Sequence, residues 1–229
     1  MRGTIVRVSA VAAIVGAALA LAGNLVHPRG GDDPDFEVYQ RFAHSTSLRI
    51  ADLILIVAII LLTVAVVGIA RSLEGADLEV FARLGAMFGV VGGTIAIAQF
   101  GLESYAYRLQ SQVFEGARRP DVRSAFWAAN AVDHVNNGLF ITWTLVFLGI
   151  APFVIGLGMA RSAQWPTWIG VVGGLGGAVC GVVAAILFVQ TDAGSQDVAF
   201  LVGSLLVTAW FLCAGVWLLR SGAPEAAPA

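Results

Sequence analysis

The stretch LILIVAIILLTVAVVGIA, from Leu53 to Ala70, carries no charge and a single hydroxyl. At about 1.5 Å per helical residue it reaches roughly 27 Å, close to the thickness of bilayer hydrocarbon. Charge-free runs at least as long also cover Val8 to Val26, Leu84 to Leu102, Val135 to Ala160, Ser162 to Thr191 and Val198 to Leu219. Six membrane-spanning helices follow, over about residues 5–26, 49–70, 82–116, 122–160, 167–190 and 197–219, with 221–229 a disordered tail. The expected fold class is therefore all-α, a polytopic membrane bundle of six transmembrane helices in one domain. Composition agrees, since 58% of the 229 residues are apolar and only 12% are charged.

Composition also excludes functions. The chain has no lysine, which removes Schiff-base chemistry and the lysine of a nucleotide-binding P-loop. A net charge of −2 leaves no footprint for nucleic acid, so the bilayer is the first partner. Met1 to Gly23 also has the build of a signal peptide, with Ala20-Leu21-Ala22 as a small-residue cleavage pattern. The apolar run continues through Leu25 and Val26, longer than an ordinary signal core, and a retained first helix is expected.

Orientation follows from arginine. Arg2, Arg7, Arg71, Arg83, Arg161 and Arg220 lie beside helix ends on one side, whereas the other arginines share two longer segments with Asp32, Asp33, Asp35, Glu37, Glu115 and Asp121. The positive-inside rule then places both termini in the cytoplasm. Trp165, Trp168 and Trp217 would form an inner aromatic belt, and Tyr105 and Tyr107 an outer one.

The chain also repeats itself. A slide of 90 residues lays Ala70-Arg71-Ser72 on Ala160-Arg161-Ser162 and His44 on His134, and a slide of 88 lays Gly85, Gly89 and Gly93 on Gly173, Gly177 and Gly181. An internal helical-hairpin duplication is implied, the second and third spans matching the fourth and fifth. Because the two hairpins start on the same face, rotation about the membrane normal should relate them. The glycine stripes should bring neighbouring backbones close, either inside the bundle or, in homo- or hetero-oligomers, against another chain. Arg118-Arg119-Pro120-Asp121 breaks the segment between the third and fourth spans, both of which should project beyond the bilayer, while His27 to Phe36 reads as loop. A kink is expected at Pro152, deep in the fourth span.

Polar side chains gather at one level. Counting at about 1.5 Å per residue from Arg71 to Asp52 and from Arg83 to Glu103 puts both carboxylates roughly 28 to 30 Å from the arginine end. Folding the third and fourth spans about Pro120 sets Glu103 opposite Asn136 and Asn137, with Gln99 a turn deeper and His134 a turn higher. Gln190, Asp192, Gln196, Asp197, Asn24 and His27 lie at corresponding ends, and the deeper spans hold no such groups, which argues against an ion relay. The candidate ligand-binding residues of this outward-facing pocket are Asp52, Gln99, Glu103, His134 and Asn137. A divalent metal, zinc or iron, could be held by His44, His134 and Glu103, with Asp52 and His27 as further donors. The alternative is that these groups cap helices, meet interfacial water and pair Asp52 with Arg49.

The Asn24-Leu25-Val26-His27-Pro28 exit, His44 ahead of the second span, and the Arg-Ser helix ends resemble an uncharacterised family of six-helix bacterial membrane proteins, a domain of unknown function. That resemblance would cover about residues 5 to 220, implies the cytoplasmic membrane of a bacterium, and brings no catalytic residues. Three histidines with acids near one face more distantly resemble alkaline-ceramidase-type membrane hydrolases, though those have seven helices and a serine-to-histidine spacing not matched here. Three functions compete: binding of a small molecule or lipid headgroup, an accessory or structural subunit, and a metal-dependent membrane hydrolase.

Overall fold

A computed structural model describes residues 2–28, 35–73, 77–189 and 197–221. Asp32, Asp33, Gln190, Asp192, Gln196 and the tail beyond Ser221, all singled out above, lie outside the described residues. The helices are α1 (Arg2–Val26), α2 (Asp35–Ala43), α3 (Thr46–Arg71), α4 (Glu79–Gly116), α5 (Val122–Arg161), α6 (Thr167–Val189) and α7 (Asp197–Ser221). All but α2 are long and apolar enough to cross a membrane. Each span packs on the next, and α7 returns to α1, so the six close a ring in chain order.

Local chemistry sets the ends. Ser45 caps α3, its hydroxyl accepting from Leu48 N–H at 3.1 Å, and this cap makes the chain restart a helix at Thr46, two residues after His44. The repeat fails here: His134, the counterpart of His44, lies inside the unbroken α5. The other ends do correspond, for α3 and α5 both run out through arginine into a buried serine cap, Ser72 and Ser162. In α5, Pro152 comes two residues after a π-helical stretch, Thr144–Ile150, a local widening just ahead of the residue that has no backbone donor.

Within the ring the glycine stripes face inward. A Cβ on Gly89 would stand 2.3 Å from Val66 Cγ1 on α3, and one on Gly85 2.3 Å from Ile155 on α5. On α6, a Cβ at Gly177 would meet Gly149 O and Phe153 N of α5 at 2.6 Å. Where lipid gives no hydrophobic drive for association, such backbone approach is what holds helices together. Both stripes thus meet neighbouring helices of the same chain.

Two aromatic expectations also change. Trp165 is buried, its indole N–H donating to Ser72 Oγ at 3.1 Å, and ties the start of α6 to the end of α3. Tyr107 is buried with Tyr39, Phe42, Phe114 and Phe126 in a small second core, where α2 lies against α4 and α5. Trp168 and Tyr105 are exposed as belt residues are. The short α2 went unseen in the sequence because its apolar face is only Tyr39, Phe42 and Ala43, a single turn at helical spacing.

Candidate functional site

At the end of the ring remote from Arg71 and Arg83, side chains from α3, α4 and the exit of α1 converge. His27 extends α1 by one residue, its N–H donating to Gly23 O at 2.9 Å. Its Nδ1 stands 3.0 Å from Pro28 O. That carbonyl can only accept, so Nδ1 carries the proton and Nε2 turns inward. Nε2 then lies 3.3 Å from Asp52 Oδ1 and 3.3 Å from Glu103 Oε1.

The second oxygen of each carboxylate is already engaged. Ser104 Oγ donates to Asp52 Oδ2 at 2.6 Å. Gln99 Nε2 donates to Glu103 Oε2 at 2.7 Å and to Asn136 Oδ1 at 2.8 Å. Each acid therefore presents one remaining oxygen to the same imidazole nitrogen. Asp52 is 0% exposed, Gln99 2%, Glu103 6% and Asn136 6%, so this network has left water. Glu103 opens a π-helical stretch, Glu103–Tyr107, a local widening that recurs at functional sites.

Within this buried network His27 Nε2, Asp52 Oδ1 and Gln99 Oε1 have no aligned hydrogen-bond partner, as does Trp143 Nε1 below it. Buried groups of this kind are rare and call for a physical account. Burial pushes the His27 imidazole down, but the flanking Asp52 and Glu103 carboxylates outweigh it and lift it from 6.5 to about 10.

Below it a cavity of about 330 Å³ opens between α1, α3, α4, α5 and α7. Its upper wall is polar, with Asn24, His27, Gln99, Glu103, Asn136 and Asn137. Its floor is apolar, including Leu62, Leu148, Val207 and Phe211, with the unpaired Trp143 indole on the wall. Leu62 comes ten residues after Asp52, so the cavity reaches roughly 15 Å into the bundle. A groove of similar volume between α1 and α3, around Thr4, Ser9 and Val64, is almost wholly apolar, and Ser9 Oγ is bonded there to Val64 O.

The sequence candidates divide. Asp52, Gln99 and Glu103 come together, and Asn137 lines the cavity. His134 is exposed, its Nδ1 2.8 Å from Asn130 O one turn back on its own helix. His44 pairs with Glu115 at 2.6 Å on the surface. Among the described residues, the group of metal-capable donors that converges is His27, Asp52 and Glu103, without His44 or His134. Arg49 is exposed, and Asp52 pairs with His27 instead. Counting residues gives each group its height but not the azimuth of its helix, and azimuth is what separates His27 from the other two histidines.

A ring of six apolar helices, each able to cross a bilayer, defines a multi-pass membrane protein. Residues 3–222 match the family described as Domain of unknown function (DUF4386), and the chain belongs to it. No curated protein and no solved structure is significantly similar, so the ceramidase-type likeness gains no support.

Proposed function

We propose that this membrane protein binds a small amphiphile, a lipid or lipid-like molecule, in the central cavity. One observation carries the proposal: a single cavity whose lining passes from hydrogen-bonding groups at His27, Gln99, Glu103 and Asn137 to an apolar floor at Leu62, Leu148 and Phe211. About 330 Å³ falls within the range of ligand pockets. An apolar tail satisfies the floor, and a polar head gives acceptors and donors to Gln99 and its neighbours. The arginines at the opposite end favour that end as cytoplasmic, which would turn the polar mouth outward.

The test is native mass spectrometry of protein extracted in mild detergent, followed by titration with short-chain phospholipid. A retained or rebound amphiphile is expected at one per chain, and Ala20→Phe and Ser204→Phe, which fill the cavity from α1 and α7, should abolish it. Binding that persists undiminished in both folded variants, or no amphiphile at all in the wild type, refutes the proposal.

A further inference from the structure

We propose that His27 Nε2, Asp52 Oδ1 and Glu103 Oε1 form a binding site for a first-row divalent transition metal, of the zinc or iron(II) class, at the mouth of the cavity. Three features of the geometry support it. The first is distance. Ligands at about 2.0 to 2.1 Å from a tetrahedral zinc stand about 3.3 to 3.4 Å from one another. Nε2 lies 3.3 Å from each carboxylate oxygen and all three atoms lie within 4.8 Å of one another, whereas a proton bridge to a carboxylate closes to about 2.7 to 2.9 Å and lies in line. Neither Nε2 nor Asp52 Oδ1 has an aligned partner, although both are buried.

The second is orientation. Every donor is fixed through its other polar atom by a neutral group: His27 Nδ1 by Pro28 O, Asp52 Oδ2 by Ser104 Oγ, and Glu103 Oε2 by Gln99 Nε2. Metal-ligating histidines and carboxylates are held by outer partners of this kind, which set the tautomer and aim the lone pair. The third is charge. Two buried carboxylates face a single imidazole, and their ion-pair partner among the described residues is His27 alone. A dication with neutral imidazole balances both. Three protein donors leave a four-coordinate ion one open position. His27 and Glu103 both line the cavity, so an ion held by them would lie beside it.

The experiment is titration of chelator-stripped, detergent-purified full chain with Zn²⁺ alone, followed by calorimetry and elemental analysis, with Mg²⁺ as the contrasting ion. One equivalent of Zn²⁺ per chain is expected. His27→Gln, Asp52→Asn and Glu103→Gln should each weaken binding beyond the roughly 10- to 100-fold that outer-shell changes cost, while His44→Ala should not. Less than about one-tenth equivalent in folded wild type, or unchanged binding in all three variants, overturns the site and leaves an ion triad. Should the variants fail to fold, Co²⁺ on the intact chain decides. The intense visible absorption of four- or five-coordinate nitrogen and oxygen ligation upholds the site, and the weak spectrum of a hydrated ion overturns it. Amphiphile binding is measured on the same metal-free sample, so failure of one proposal leaves the other standing.

Discussion

Gly174 and Gly177 sit one turn apart on α6, yet alanine should act on them in opposite directions. A Cβ at Gly177 would stand 2.6 Å from Gly149 O and from Phe153 N and 3.0 Å from Phe153 Cα, all backbone of α5, where ordinary contact begins at 3.4 Å. No side-chain rotation relieves a backbone clash, so α5 and α6 must part by roughly 0.8 Å at this seam, the gap between 2.6 and 3.4 Å. A separation of that size forfeits about a quarter to a half of each dispersion well of about 0.1 to 0.2 kcal/mol, and over some twenty atom pairs that is roughly 1 kcal/mol. Strain adds to it, for a net loss of about 1 to 3 kcal/mol in Gly177→Ala. At Gly174 a Cβ meets nothing within 4 Å. There, relief of backbone entropy should leave the protein unchanged or stabilise it by up to about 1 kcal/mol. Reversible unfolding in mixed micelles by SDS titration, followed by tryptophan fluorescence, measures both. Equal stabilities for the two variants, or a more stable Gly177→Ala, would show that α5 and α6 do not meet backbone to backbone.

Ser104→Ala removes the hydroxyl that orients Asp52 and should lower Zn²⁺ affinity by about 10- to 100-fold in calorimetry while the fold persists. Trp143→Phe deletes a buried donor that has no partner, so unliganded stability should hold or rise by up to about 1 kcal/mol in the same SDS assay. Trp165→Phe should instead cost about 0.5 to 1.5 kcal/mol, because its N–H bond to buried Ser72 Oγ is lost. Tyr39→Ala, which empties the centre of the small aromatic core at Tyr107, Phe114 and Phe126, should release α2 and speed tryptic cleavage at Arg41 several-fold in limited proteolysis.

Membrane spans were the legible part of the sequence because hydrocarbon imposes one rule on every residue it touches: Leu53 to Ala70 could be nothing else. The level of the polar groups was legible too, since rise per residue is fixed, and it brought Asp52, Gln99 and Glu103 together at one height. What rise cannot give is rotation about each axis or the tilt at a chain break. His44 stands outside the cluster because Ser45 starts a fresh helix beside it, and His134 because it lies on the exposed side of α5. His27, which continues α1 by one backbone hydrogen bond to Gly23 O, reads in the sequence as the first residue of a loop. The π-helical stretches at Glu103–Tyr107 and Thr144–Ile150 leave no mark in composition, although Pro152 points to the second.

Those two stretches bear on why a cavity survives in a bundle otherwise pressed together at its glycines. Gly156 and Gly170 lie so close that a Cβ on either would stand 2.6 Å from the carbonyl of the other, which fixes the α5–α6 seam. The seam continues into the π-helical stretch, where a Cβ on Gly149 would stand 2.9 Å from Gly181 Cα. The π-helical turns at Thr144–Ile150 shift the residues that follow by one place, and Trp143 and Leu148 at this segment line the cavity while Phe147 packs into the core. On α4 the widening begins at Glu103 itself, beside buried atoms that lack partners. Widened turns and unpaired buried donors each cost stability, and a membrane bundle needs neither to fold. Their coincidence on the two helices that flank one cavity is the arrangement expected when occupancy of that cavity restores what folding alone leaves unsatisfied.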